Sequence, residues 1–250
     1  MRTVPHATTG SHGGAVVELL EAGADGRIGT RRLRGAVDGE VGREYAWLIV
    51  ESAADEGATV VIDGTRHDGV GARADVFDAP GWSVVLAPGS TFSIAGGDVR
   101  ATLVWTAAQP GIDGGATRVI DPHTVADEAR GDGATARRVR TYVDNGPLIV
   151  GETLNPPGGW SSWPPHAHEH EEIYLYRFDP AQGFGVHVDV GNDACDARDD
   201  QPQVVRDGDI VRIRSGHHPV VAAPGCTMYY LWALAGDAPT PDTKVDSRFS

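Results

Sequence analysis

Cysteine is scarce: the 250-residue chain has two, Cys195 and Cys226. They lack the Cys-x-x-Cys spacing of a zinc or redox motif, and no disulfide framework is evident. A reducing, cytoplasmic setting is the expectation. Apolar runs are short as well. None approaches the roughly 20 residues that a membrane helix needs. The start, Met1-Arg2-Thr3-Val4-Pro5-His6, has one basic residue but none of the apolar stretch of a secretory leader. Positive charge is the third shortage. Lys and Arg number 21 against 35 Asp and Glu, a formal charge of −14. That field repels nucleic acid and anionic membranes, so neither is an expected partner. An anionic substrate would need a local cluster of arginines.

Glycine and proline are plentiful, 33 and 16, and they fall between short apolar runs. This distribution predicts an all-β protein with many turns. Strands are expected at 45–51, 59–63, 76–77, 82–87, 91–95 and 100–105. A second set is expected at 148–152, through the 170s, and at 184–188, 203–205, 210–213 and 228–233. The stretch WSVVLAPGSTFSIAG in the first half is similar to GDIVRIRSGHHPVVAAPG in the second. Both run strand, glycine turn, strand. The reading is two tandem jelly-roll barrels, residues 1–110 and 138–250, joined by a linker at 111–137. Residues 1–14 are expected to be loose, and 236–250 to form a polar tail.

The chemistry concentrates in Pro164-Pro165-His166-Ala167-His168-Glu169-His170-Glu171-Glu172-Ile173-Tyr174-Leu175-Tyr176. On a strand alternate side chains share a face, so His166 and His168 point the same way. Glu172, four positions beyond His168, keeps that face if the strand continues or resumes after a kink. A further histidine is expected on a neighbouring hairpin. Gly208 and Gly216 mark turns around a strand at 210–213, and His218 opens the next one. His166, His168, Glu172 and His218 are therefore the expected ligands of one divalent metal ion, zinc or manganese. His170 and His217 are expected beside the ligands or in solvent, and Glu169 and Glu171 on the exposed face. The first half has no His-x-His pair, and its lone His67 reads as a loop histidine. Only the second barrel is expected to hold metal.

This set, His-x-His-x3-Glu followed by Gly-x-His on a later strand, resembles the cupin pattern, and with the duplication it makes the expected fold a bicupin. A longer resemblance is carried by Asn155-Pro156-Pro157-Gly158-Gly159-Trp160-Ser161-Ser162-Trp163-Pro164-Pro165-His166-Ala167-His168. It continues through residues 171–178, 180–185, 216–220 and 229–236. Over about 138–236 the chain resembles the 5-deoxy-glucuronate isomerase family of myo-inositol breakdown. One departure is that only Glu169 and His170 separate the His-x-His pair from Glu171-Glu172, where that family usually carries a longer acidic insertion. The short spacing is nearer to the related 4-deoxy-hexosulose-uronate isomerase.

The resemblance implies a metal-dependent aldose–ketose isomerase acting on a small sugar acid, with no external redox cofactor. Glu172, Tyr174, Tyr229 (or its neighbour Tyr230) and His217 are the candidates for moving the proton. Arg138, Arg140, Arg177 and Gln182 are the candidates for holding substrate, the arginines by binding its carboxylate. Bicupins of this kind often pair further, so a homo-oligomer is expected. Three other readings stay open: a 4-deoxy-hexosulose-uronate-type isomerase, a non-heme iron cupin dioxygenase, which would consume oxygen, and a non-catalytic sugar-binding cupin, which would bind without turnover.

Overall fold

Apart from short 3-10 turns, every regular element of the described residues is a β-strand. The computed structural model describes residues 6–9, 14–20, 22, 26–54, 56–71, 73–190 and 201–249. Cys195 lies outside the described residues, and Cys226 is a buried free thiol. The chain divides into two compact units. The first comprises Met1–Val125, Asn145–Ile149 and Asp237–Pro239; the second comprises Ala126–Asp144, Val150–Gly236 and Thr240–Ser250.

In the first unit the strands are β1 His6–Thr9, β2 Ala15–Leu20, β3 Ile28–Arg34, β4 Val37–Glu40, β5 Glu44–Ser52, β6 Ala58–Ile62, β7 Thr65–Val70, β8 Ser83–Leu86, β9 Thr91–Ala95, β10 Arg100–Ala107 and β11 Arg118–Ile120. They form two sheets, ordered β11-β8-β5-β10-β3-β2 and β1-β4-β9-β6-β7. Leu48, Val60, Leu86, Phe92, Ile94, Leu103 and Trp105 belong to the core of this unit. The pattern on β6 is the alternation of a half-buried strand. At its end Asp63 and Gly64 both have positive φ, 48° and 80°, which suits the two central residues of a tight hairpin turn.

In the second unit the strands are β12 Glu128–Arg130, β13 Arg137–Val143, β14 Ile149–Asn155, β15 Trp160–Ser161, β16 His166–Ala167, β17 Glu171–Asp179, β18 Phe184–Asp189, β19 Gln201–Arg206, β20 Ile210–Ile213, β21 Val220–Ala222, β22 Thr227–Ala235 and β23 Lys244–Val245. The sheets run β12-β13-β14-β22-β17-β20 and β15-β21-β18-β19, with β16-β23 as a separate pair. Tyr174, Tyr176, Phe178, Val211, Ile213, Val220, Met228 and Tyr230 belong to its core.

The two strand orders are the same. β8-β5-β10-β3-β2 corresponds to β20-β17-β22-β14-β13, and β4-β9-β6-β7 corresponds to β15-β21-β18-β19. Each unit also seats a tryptophan over a glycine. A Cβ on Gly29 would lie 2.2 Å from the Trp105 ring, and one on Gly151 would lie 2.1 Å from that of Trp232. The duplication visible in the sequence is therefore a duplication of fold: an all-β bicupin.

Several local expectations need correction. Residues 6–9 form a strand paired with β4, whereas residues 1–5 and 10–13 lie outside the described residues. Val76 and Phe77 sit in a turn rather than a strand. The stretch read as a linker, 111–137, carries β11, paired with β8, and β12, paired with β13. Among the described residues no helix is long and apolar enough to cross a membrane.

Candidate metal centre

Pro164 and Pro165 deliver the chain into the two-residue β16, and a bend at 168–170 separates it from β17. The strand that carries Glu172 therefore resumes after a kink. Glu172 lies opposite Ile213, the last residue of β20. From there a turn through Gly216, at φ 89°, leads to His218. Three segments thus converge at one end of the barrel.

Glu172 Oε2 lies 3.1 Å from His168 Nε2 and 3.0 Å from His218 Nε2. All three side chains are buried, at 9% exposure or less. The half-buried His166 completes the group, its ring centroid 5.3 Å from that of His218 and 6.4 Å from that of His168. Every imidazole has its other nitrogen on a carbonyl. Nδ1 of His166 is 3.0 Å from Pro164 O, that of His168 is 2.8 Å from His170 O, and that of His218 is 3.0 Å from Gly216 O. A neutral imidazole that donates from Nδ1 to such a carbonyl has its Nε2 lone pair facing inward, the form that ligates a metal.

Such lone pairs would repel the Glu172 carboxylate unless a cation lies between them, either a metal ion or the proton of the His168–Glu172 hydrogen bond. His218 Nε2 is buried and has no hydrogen-bond partner. Two donors each about 2.1 Å from one cation, at right angles, stand about 3 Å apart. The observed separations match that edge. His168, Glu172 and His218 each offer a ligand atom within 4.8 Å of the others. The residues present fit a divalent ion of borderline hardness.

Without an ion, protons and burial set the charges of these groups. Burial alone would push the Glu172 carboxyl up, but the His168 and His218 imidazoles together outweigh it and hold it at about 2. Burial pushes the His166 imidazole down, toward its neutral, ligating form. For His168, burial works downward but the hydrogen bond and charge of Glu172 prevail, and its pKa is raised.

Tyr174, on the same face of β17 as Glu172, is buried with its hydroxyl 2.7 Å from Ser162 Oγ. Ser162 has φ 51°, a strained conformation for a residue with a side chain, and its hydroxyl meets the tyrosine there. The Tyr174 ring is 5.9 Å from that of His218. Burial raises both the Tyr174 and the Tyr176 hydroxyls well above the usual tyrosine range, so both are neutral donors. Sequence reasoning missed His187. It is fully buried on β18, its Nδ1 2.7 Å from the Tyr176 hydroxyl and its Nε2 3.4 Å from Asp189. Its signal was a lone imidazole in an otherwise apolar strand.

Other expected residues lie elsewhere. Alternation along β22 puts Tyr230 in the barrel core and Tyr229 on the opposite face, where its hydroxyl donates to Glu152 at 2.9 Å. Arg140 is fully buried and paired with Glu152 (3.3 Å) and Asp127 (3.0 Å). Arg138 also pairs with Asp127. Arg177 reaches toward Asp207 at 3.7 Å. Gln182 is exposed in the turn after β17, at the end away from Glu172. His217 is buried with Nδ1 3.8 Å from Asp246. Glu171, expected to be exposed, is buried beside Arg212 at 3.3 Å.

Comparison with known proteins places this geometry. The profile of the KduI/IolB family matches residues 34–250. The chain belongs to the KduI/IolB family. It is 35% identical over 190 residues to the 5-deoxy-glucuronate isomerase of Geobacillus kaustophilus, covering 70% of this chain and 67% of that protein. The 5-deoxy-glucuronate isomerase of Geobacillus thermodenitrificans is 33% identical over 215 residues, 77% of each chain. An IolB-like protein from Salmonella typhimurium has the same fold, with a TM-score of 0.84 at 22% identity over 98% of this chain and 97% of its own. A Bacillus subtilis oxalate decarboxylase superposes at a TM-score of 0.61 and 13% identity, covering 94% of this chain and 76% of that one, which speaks to fold alone. In this member of the KduI/IolB family, the buried His-Glu-His group that could hold a metal stands in the second of the two units.

Proposed function

We propose that this chain is a metal-dependent aldose–ketose isomerase converting 5-deoxy-glucuronate to 5-dehydro-2-deoxy-gluconate in myo-inositol catabolism. The observation that carries the reading is the convergence of His168 Nε2, His218 Nε2 and Glu172 Oε2, with His166 beside them. Family membership and the isomerase name of the relatives support it. A reducing cytoplasm suits the free thiol of Cys226.

A zinc or manganese ion held by His166, His168, Glu172 and His218 would polarise the carbonyl and adjacent hydroxyl of an open-chain sugar acid. The chain's own groups do the rest. The reaction moves one proton from C2 to C1 and another from the C2 hydroxyl to the C1 oxygen, so the carbonyl passes from C1 to C2 and no electrons leave the substrate. Of the four candidates for that transfer, Glu172 combines an ionised carboxylate with a place among the histidines. Tyr174 is a neutral donor near His218. Tyr229 faces the other way, and His217 lies beside Asp246.

The test is purified, metal-loaded protein with 5-deoxy-glucuronate in deuterated water, followed by NMR. Ketose formation with deuterium entering at C1 is expected. An unchanged substrate spectrum would remove the reading. Oxygen consumption instead would favour a dioxygenase.

A further inference from the structure

The His166 segment and the His218 turn come from distant parts of the chain, and the C-terminal residues touch both. β23 pairs with β16, His166 opposite Val245 and Ala167 opposite Lys244. One residue further, the Asp246 N–H donates to Pro165 O at 2.8 Å. The Asp246 side chain is fully buried, with Oδ2 3.8 Å from His217 Nδ1. Arg248 holds that carboxylate through its backbone N–H at 2.9 Å and its guanidinium at 2.6 Å. Phe249 then lies against Trp163, their ring centroids 5.1 Å apart.

We infer that Asp246 is a positioning residue that clamps the two ligand-bearing segments together. Its backbone ties the residue before His166, and its side chain faces the residue before His218. The need for a clamp follows from β16. It has two residues, and its strand partner is β23. A two-stranded pair of that length has little stability of its own. A buried carboxylate is costly unless its hydrogen bonds are met, and Arg248 meets them from the same short segment. The tail is thus a closed unit set against both sides of the centre. Groups hydrogen-bonded directly to a ligand typically contribute about 10–100-fold to metal affinity; Asp246 acts one residue further out, on the neighbours of His166 and His218.

The inference rests on the metal reading above, and its test separates the two. Cobalt(II) is titrated into chelator-stripped full-length protein, and the dissociation constant and visible ligand-field bands are read. Asp246→Ala is expected to weaken cobalt binding about tenfold and to change the band pattern, with unaltered circular dichroism. Both variants keep the backbone tie to Pro165; Asp246→Asn, which also keeps a side-chain oxygen for Arg248, should fall between alanine and wild type, and it carries the test if the alanine variant does not fold. Wild type that binds cobalt alongside variants with the same affinity and spectrum would overturn the clamp alone. Wild type that takes up no cobalt would overturn the metal reading and the clamp with it.

Discussion

At the scale of residues, the centre is a balance of proton and cation. In the metal-free protein His168, its pKa raised by Glu172, contributes stability below its ordinary value near 6.5, and that contribution is lost as the pH rises through the raised value. His166, pushed down by burial, acts the other way: its contribution is present above 6.5 and is lost as the pH falls. Glu172 loses its contribution between the ordinary carboxylate value of 4.5 and about 2. For these three groups the metal-free protein is most stable near pH 6.5. A bound ion needs the imidazoles deprotonated, so its stabilisation grows as the pH rises. Thermal melts from pH 6.5 to 8 should show the gap between loaded and stripped protein widening; a constant gap would contradict the assignment.

Arg140 makes a second residue-scale prediction. Breaking a buried ion pair by removing one partner typically costs about 3–5 kcal/mol. Arg140→Ala should lower stability by that order in urea unfolding while leaving metal content at the wild-type level. Metal loss in a protein of unchanged stability would return Arg140 to the site. The grouping of His166, His168 and Glu172 was legible because the two histidines are two residues apart and Glu172 rejoins them when the strand resumes after the bend. The arginines were not. Their partners, Asp127 and Glu152, lie 11 to 13 residues away and pair through neighbouring strands, which spacing does not reveal. Tyr229 and Tyr230 are adjacent, so only the phase of β22 decides which faces the barrel.

At the scale of elements, the glycine under each tryptophan makes close strand contact possible. Gly151→Ala would place a methyl 2.1 Å from the Trp232 ring and 2.6 Å from the Arg140 carbonyl. Overpacking of this kind typically costs about 1–3 kcal/mol. A lower thermal midpoint with weakened tryptophan near-ultraviolet dichroism is expected; an unchanged midpoint would mean that β14 shifts freely. Strand positions were legible wherever apolar alternation ended at glycine or proline. Thr65–Val70 was missed because its sequence, TRHDGV, is mostly exposed and polar. The strands at 118–120 and 128–130 are three-residue edge strands with exposed side chains, too short for any periodicity to show.

At the scale of the whole molecule, a duplicated fold carries, among the described residues, one His-Glu-His group that could hold a metal. Both units keep the strand order and the tryptophan–glycine contact, but His-x-His occurs in the second alone. The repeat was visible in two matching strand–turn–strand stretches. The role of the C-terminal residues was not, because a polar, proline-containing tail reads alike whether it is free or docked. The central claim is that three imidazoles and Glu172 hold one divalent ion. Elemental analysis of protein purified without chelator, beside His218→Ala, tests it most directly. The account predicts about one ion per wild-type chain and less than about a tenth of that in the variant, since one ligand of four is gone. Wild-type protein with no ion above buffer level, or a variant that keeps its full complement, would contradict it.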